Sequence, residues 1–199
     1  GIGAGAPCAN YRHGSIDNAA NLTWASGKVV PFANMLSTAL DGMPVALTND
    51  ANAAALGEMY YGAARGMKDF IVITLGTGVG GGIVIDGKIV YGHDGFAGEL
   101  GHVQVVHHNG RVCGCGNTGC LETYCSAIGI SRTARELLEI NVNEPSLLRD
   151  IDNITAKDVQ DAAFAGDKIA NQVYDFTGRI LGEALAGFIA FSSPEAIIL

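Results

Sequence analysis

The chain has 199 residues, 48% hydrophobic and 16% charged, a balance that excludes a disordered polymer and suffices for one large domain or two small lobes. Its formal net charge of -8, with no Lys/Arg cluster to offset it, argues against a nucleic-acid partner for this portion. No apolar run reaches the roughly 18 residues of a membrane span, so no membrane partner is expected.

Taken in chain order, both ends read as cut. The chain opens on Gly1-Ile2-Gly3-Ala4-Gly5-Ala6-Pro7 without a lead-in and closes on Ala196-Ile197-Ile198-Leu199, which reads as a buried strand. A natural terminus is rarely a strand whose edge needs cover. Val45-Ala46-Leu47 reads as a strand, followed by a helix capped by Asn49 or Asp50 and stopped by Gly62. Phe70-Ile71-Val72-Ile73-Thr74 is a strand by its β-branched and aromatic content. After a glycine-rich turn, Asp86-Gly87 between Ile83-Val84-Ile85 and Lys88-Ile89-Val90 signals a hairpin. Thr155 and Asp158 form a capping box for a helix to about Ala165. A longer helix runs from about Lys168 to Phe191, and its Gly178, Gly182 and Gly187 read as small residues that let a neighbour pack closely. Its apolar stretches are compatible with a homodimer.

Four motifs carry chemistry. Gly76-Thr77-Gly78-Val79-Gly80-Gly81-Gly82 fits a dinucleotide pattern, but a strand follows it where that fingerprint needs a helix. What remains is a strand–turn–strand hairpin whose backbone N–H groups can cradle phosphate, against a bare tight turn as the alternative. Asn49-Asp50-Ala51-Asn52 stands at a strand-to-helix junction, where a carboxylate can take a proton from a substrate hydroxyl or simply cap the helix. Cys113, Cys115 and Cys120 lie in one short glycine-containing loop, and with one histidine they make a closed Cys₃His zinc site of the structural kind. Free cysteines or a redox pair are the alternatives, and spacing alone does not choose among His102, His107 and His108. Glu99 and His102, in Gly98-Glu99-Leu100-Gly101-His102, and Glu122 after the cysteine loop offer planar polar groups for paired sugar hydroxyls. Taken singly, these glutamates are ordinary solvated charges. Thiolates survive best in a reducing compartment and no leader pattern opens the chain, so the expected location is cytoplasmic.

In order and together, these segments resemble the ROK family, which contains bacterial glucokinases, other sugar kinases and sugar-responsive repressors. Gly1 to Pro7 and Asn21-Leu22-Thr23-Trp24 are also similar to that family's sugar-side loop. The resemblance implies an α/β, ribonuclease H-like (hexokinase/actin-type) two-lobed fold, incomplete in this chain. Residues 1–66 would be the remnant of the smaller lobe and residues 67–199 the larger lobe. It implies ATP-dependent phosphorylation of a hexose, glucose first, with Asp50 as general base. Asn49, Glu99, His102 and Glu122 would bind the sugar. Gly76, Thr77 and Gly78 would approach the ATP phosphates, bridged by Mg²⁺. The resemblance selects His102 to join Cys113, Cys115 and Cys120 around a structural Zn²⁺. The family's first phosphate loop would lie before Gly1 and a further Gly-Gly segment after Leu199, so these residues alone are expected not to transfer phosphate efficiently. A sugar-sensing repressor and a zinc-stapled sugar-binding module without catalysis are the competing readings; Asp50 and the glycine hairpin argue for the kinase.

Overall fold

A computed structural model describes residues 1–19 and 22–199, so Asn21 lies outside the described residues. The chain divides into two compact units that interleave in sequence. The first takes Gly1–Thr74, Gly80–Glu99 and Pro194–Leu199; the second takes Leu75–Val79 and Leu100–Ser193.

The first unit begins with β1 (Ile2–Gly5), which pairs in parallel with β5 (Val45–Thr48) from Ile2 against Val45 to Gly5 against Thr48. Between them β2 (Ala9–Asn10), β3 (Ser15–Asp17) and β4 (Val29–Val30) form an antiparallel sheet, followed by the helix α1 (Phe32–Ala39). Ala9, Ile16, Ala19, Ala25 and Leu47 make the core here. β5 runs straight into α2 (Asp50–Tyr61). Gly62 ends α2 with φ -109, outside the left-handed region; a side chain there would collide with Glu58, whose carboxylate accepts from Ala63 N–H at 2.7 Å.

A four-stranded sheet, in the order β8-β7-β6-β9, joins β6 (Phe70–Leu75), β7 (Val79–Ile85), β8 (Lys88–Ile89) and β9 (Ala196–Ile198). Phe70 to Ile73 are all buried, which fits a strand covered on both faces. The β7–β8 turn uses Asp86 at φ 50 and Gly87 at φ 70, the left-handed pair that an Asp-Gly hairpin requires. β9 pairs in parallel with β6, lies at the edge of this sheet among the described residues, and is half-buried where its apolar sequence predicts burial.

The second unit is helical: α3 (Glu122–Cys125), α4 (Ala127–Ile140), α5 (Ala156–Phe164) and α6 (Lys168–Ser192). Ser126 caps α4, Thr155 and Asp158 form the capping box of α5, and Asp167 caps α6. Ala134, Leu148, Val159, Ala170 and Val173 form the shared core. The expectation for the α6 glycines does not hold: a side-chain carbon at Gly178, Gly182 or Gly187 meets nothing within 4 Å among the described residues. These positions lie on the outward face of the helix. No helix of the described residues is long and apolar enough to cross a membrane.

Candidate functional site

In the first unit β1 and β5 end side by side at Gly5 and Thr48. Carboxyl ends of parallel strands are where open α/β sheets bind ligands. Immediately beyond, Asn49 Oδ1 accepts from Ala51 N–H at 2.8 Å and caps α2. Asp50 is the first helical residue and is exposed; its own Oδ1 also accepts from Ala51 N–H, at 2.9 Å. The cap is therefore met by Asn49, and the second carboxylate oxygen of Asp50 is left for other work. A side-chain carbon on Gly5 would lie 3.4 Å from Asp50 Cα, so the end of β1 closes directly on this residue. Cys8, just beyond β1, belongs to the same end of the unit: burial, then the carboxylates of Glu99, Asp50 and Asp17, push its thiol above its ordinary value.

In the second unit His102, Cys113, Cys115 and Cys120 bring one ligand atom each to within 4.8 Å of one another. Their local scaffold is a compact loop. Cys113 N–H donates to Asn117 O at 2.9 Å, Gly119 N–H to Arg111 O at 2.8 Å, and Leu121 N–H to Val103 O at 3.0 Å. Cys115 Sγ lies 3.8 Å from Cys120 Sγ, and Cys113 Sγ lies 3.6 Å from His102 Nδ1. A tetrahedral zinc with Zn–S near 2.3 Å spaces its sulfur ligands about 3.8 Å apart, so the donor set fits Zn²⁺. Burial pushes the Cys113 thiol up and the Cys120 thiol up to about 12, whereas the Asn117 backbone N–H holds Cys115 down. Packed thiols of this kind become thiolates together only beside a cation. His107 and His108 are not in the cluster.

Arg111, which sequence reasoning missed, anchors this loop. It is 7% exposed. Nη1 donates to Thr123 O at 2.8 Å and Gly129 O at 3.3 Å, and Nη2 to Thr133 Oγ1 at 2.8 Å and Glu136 Oε2 at 2.5 Å. Its guanidinium also lies 4.6 Å from the Tyr124 ring centre. Burial pushes the Glu136 carboxyl up, but the hydrogen bonds from Arg111 and Arg132 outweigh it and hold the group below its usual range. In sequence Arg111 is a lone basic residue between Gly110 and Val112, beside the cysteine loop, and its partners Thr123, Gly129, Thr133 and Glu136 stand 12 to 25 positions away, so local pattern gives no sign of the anchor.

The turn between β6 and β7 is exposed at Gly76 and Thr77 and closed by Gly76 N–H to Gly78 O at 3.0 Å. Glu122 reaches it: Val79 N–H donates to Glu122 Oε2 at 2.9 Å. Glu122 is thus no free surface charge. The sequence-predicted residues fall into two groups, Asn49, Asp50 and Glu99 in the first unit, and Gly76, Thr77, Gly78, His102, Glu122 and the three cysteines in the second.

Residues 1–199 match the ROK family, and the chain belongs to it. Its fold is the ribonuclease H-like, hexokinase/actin type, of which it holds part. It is 45% identical to a glucokinase of Halalkalibacterium halodurans over 100% of this chain and 60% of that protein. It is 32% identical to the xylose repressor of Caldicellulosiruptor bescii over 100% of this chain and 49% of that protein. Among solved structures, a Streptomyces griseus ROK glucokinase in complex with glucose and AMPPNP matches with a TM-score of 0.79 and 34% identity, covering 95% of this chain and 62% of that one. A ROK family transcriptional regulator, homologous to the E. coli MLC protein, matches with a TM-score of 0.84 and 33% identity, covering 98% of this chain and 48% of that one.

Proposed function

We propose that the protein containing this chain transfers the terminal phosphoryl group of ATP to a hexose, glucose first among the candidates. The observation that carries the reading is Asp50: an exposed carboxylate at the end of a parallel strand, relieved of sole responsibility for the cap by Asn49. In this reading residues 1–66 are the remnant of the smaller lobe and residues 67–199 the larger lobe. Asp50 accepts the proton of the attacking sugar hydroxyl as the phosphoryl group is transferred. Asn49 has its oxygen in the cap and offers its amide N–H to the sugar. Glu99, His102 and Glu122 take further hydroxyls. His102 turns Nδ1 toward Cys113 Sγ, which leaves Nε2 for the sugar. Thr77 and Gly78 present backbone N–H groups to the phosphates of magnesium-bound ATP, next to Gly76. His102, Cys113, Cys115 and Cys120 would hold zinc, which supplies a fixed cross-link that orients the His102 ring.

The resemblance to repressors supports a second reading, a sugar sensor without turnover. A pure sensor has no use for a base at position 50. The test is a coupled assay of the intact protein with ATP, Mg²⁺ and a panel of hexoses, followed by Asp50→Asn. The expected result is hexose-dependent ADP release whose kcat falls by about 10² to 10⁴ in Asp50→Asn while hexose affinity is kept. Hexose binding with no turnover in the unaltered protein would favour the sensor.

A further inference from the structure

By its contacts the turn Leu75–Val79 belongs with Leu100–Ser193, although the strands that lead into and out of it belong to the other unit. Three grips account for this. Val79 N–H donates to Glu122 Oε2 at 2.9 Å. Ala127 N–H, at the start of α4, donates to Gly76 O at 2.9 Å. Gly101 packs its backbone against Val79 O so closely that a side chain there would collide with it. Two of these grips come from the stretch that begins at the metal-cluster residue Cys120. That stretch is stiff: Cys120 O accepts from Thr123 N–H at 3.0 Å and from Thr123 Oγ1 at 2.7 Å, and Cys120 and Leu121 are fully buried.

Gly78 completes the arrangement. A side-chain carbon at this position would strike Glu122 Oε2, so glycine is what admits the carboxylate. A backbone N–H donates one strong hydrogen bond, and a carboxylate that accepts it withholds it from an incoming anion. With Val79 N–H spent on Glu122 and Gly76 N–H on Gly78 O, the turn offers Thr77 and Gly78 to a phosphate. Glu122 therefore shapes the turn instead of leaving all its donors open.

We infer that Glu122 is a positioning residue for the phosphate turn and that it ties the turn's conformation to the metal loop. This rests on the kinase reading for the identity of the ligand, a nucleoside triphosphate. One carboxyl oxygen holds Val79 N–H, and the hexose role assigned above would fall to the other. The state of the metal loop thereby sets how well the turn receives nucleotide.

The test is calorimetric binding of AMPPNP to the intact protein in the absence of hexose, with glucose binding measured separately without nucleotide. Glu122→Ala is expected to bind AMPPNP about tenfold more weakly, the worth of one charge-assisted hydrogen bond. Glu122→Gln keeps an oxygen acceptor for Val79 N–H and is expected to stay within about threefold of the unaltered protein. Cys115→Ser, which loosens the loop, is expected to weaken AMPPNP binding as well. A contact made only to sugar predicts no change in any of these hexose-free titrations. Should Glu122→Ala fail to fold, Glu122→Asp, whose shorter side chain draws the carboxylate back from Val79 N–H, is expected to show the same tenfold loss. Unchanged AMPPNP affinity in the folded variants overturns the inference. AMPPNP binding that follows this pattern in a protein with no hexose turnover would sink the kinase reading and leave the inference standing; no AMPPNP binding by the unaltered protein overturns both.

Discussion

Arg111 is a buried cation whose surroundings answer nearly every donor it has: two carbonyls, a hydroxyl, a carboxylate and an aromatic face. Such a group is costly to remove, since its partners are left without theirs. Arg111→Ala is expected to lower stability by about 3 kcal/mol in urea unfolding and to lower zinc retention on dialysis, because the residue stands two positions before Cys113. Arg111→Lys should not restore either, for an ammonium cannot span the fork from Thr123 O to Glu136. The residue scale also shows what sequence could and could not supply. The cysteine spacing announced a metal loop. Spacing alone leaves the fourth ligand open between His102, His107 and His108, since proximity along the chain favours the latter two; the family resemblance selects His102, and the fold brings its Nδ1 to Cys113 Sγ. Glu122 looked like an exposed charge because its partner, Val79 N–H, is distant in sequence.

At the scale of elements, β7 explains most of the glycine run. Within the run Gly76 to Gly82 the expected phosphate contacts are Gly76, Thr77 and Gly78, whereas Gly80 and Gly82 serve packing. A side-chain carbon at Gly82 would lie 2.7 Å from Ala55 Cβ and 2.9 Å from Ala51 O, and one at Gly80 would lie 2.8 Å from Ala51 Cβ. Their bareness lets α2, the helix that begins with Asp50, sit close on the strand. Gly82→Ala is expected to destabilise the protein by about 1 to 3 kcal/mol, seen as a lower Tm, and to reduce turnover by moving the start of α2. An unchanged melting curve would contradict the close approach. Local signals were the legible ones: the Asp86-Gly87 turn and the Thr155–Asp158 capping box hold because both depend on residues within four positions of each other. The glycines of α6 were misread because small size alone does not say whether a face is covered.

At the scale of the whole molecule, the metal cluster cross-links a stretch from His102 to Cys120 that has few buried apolar residues of its own. Chelation of the intact protein is expected to lower its Tm, to release about one zinc per chain and to weaken hexose binding, measured by metal analysis and calorimetry on the same sample. Retained hexose affinity in metal-free, folded protein would separate the cluster from the sugar site. The family was legible because short motifs fall in a fixed order along the whole chain; the interleaving of the units was not, since contact between β6 and β9 leaves no mark in local pattern. That interleaving has a consequence for biosynthesis. β6 leaves the ribosome well before its parallel neighbour β9, which follows all of the helical unit in sequence. One edge of β6 must therefore wait, unpaired and apolar, while α3 to α6 emerge, and during that interval a nascent-chain chaperone would find its target there.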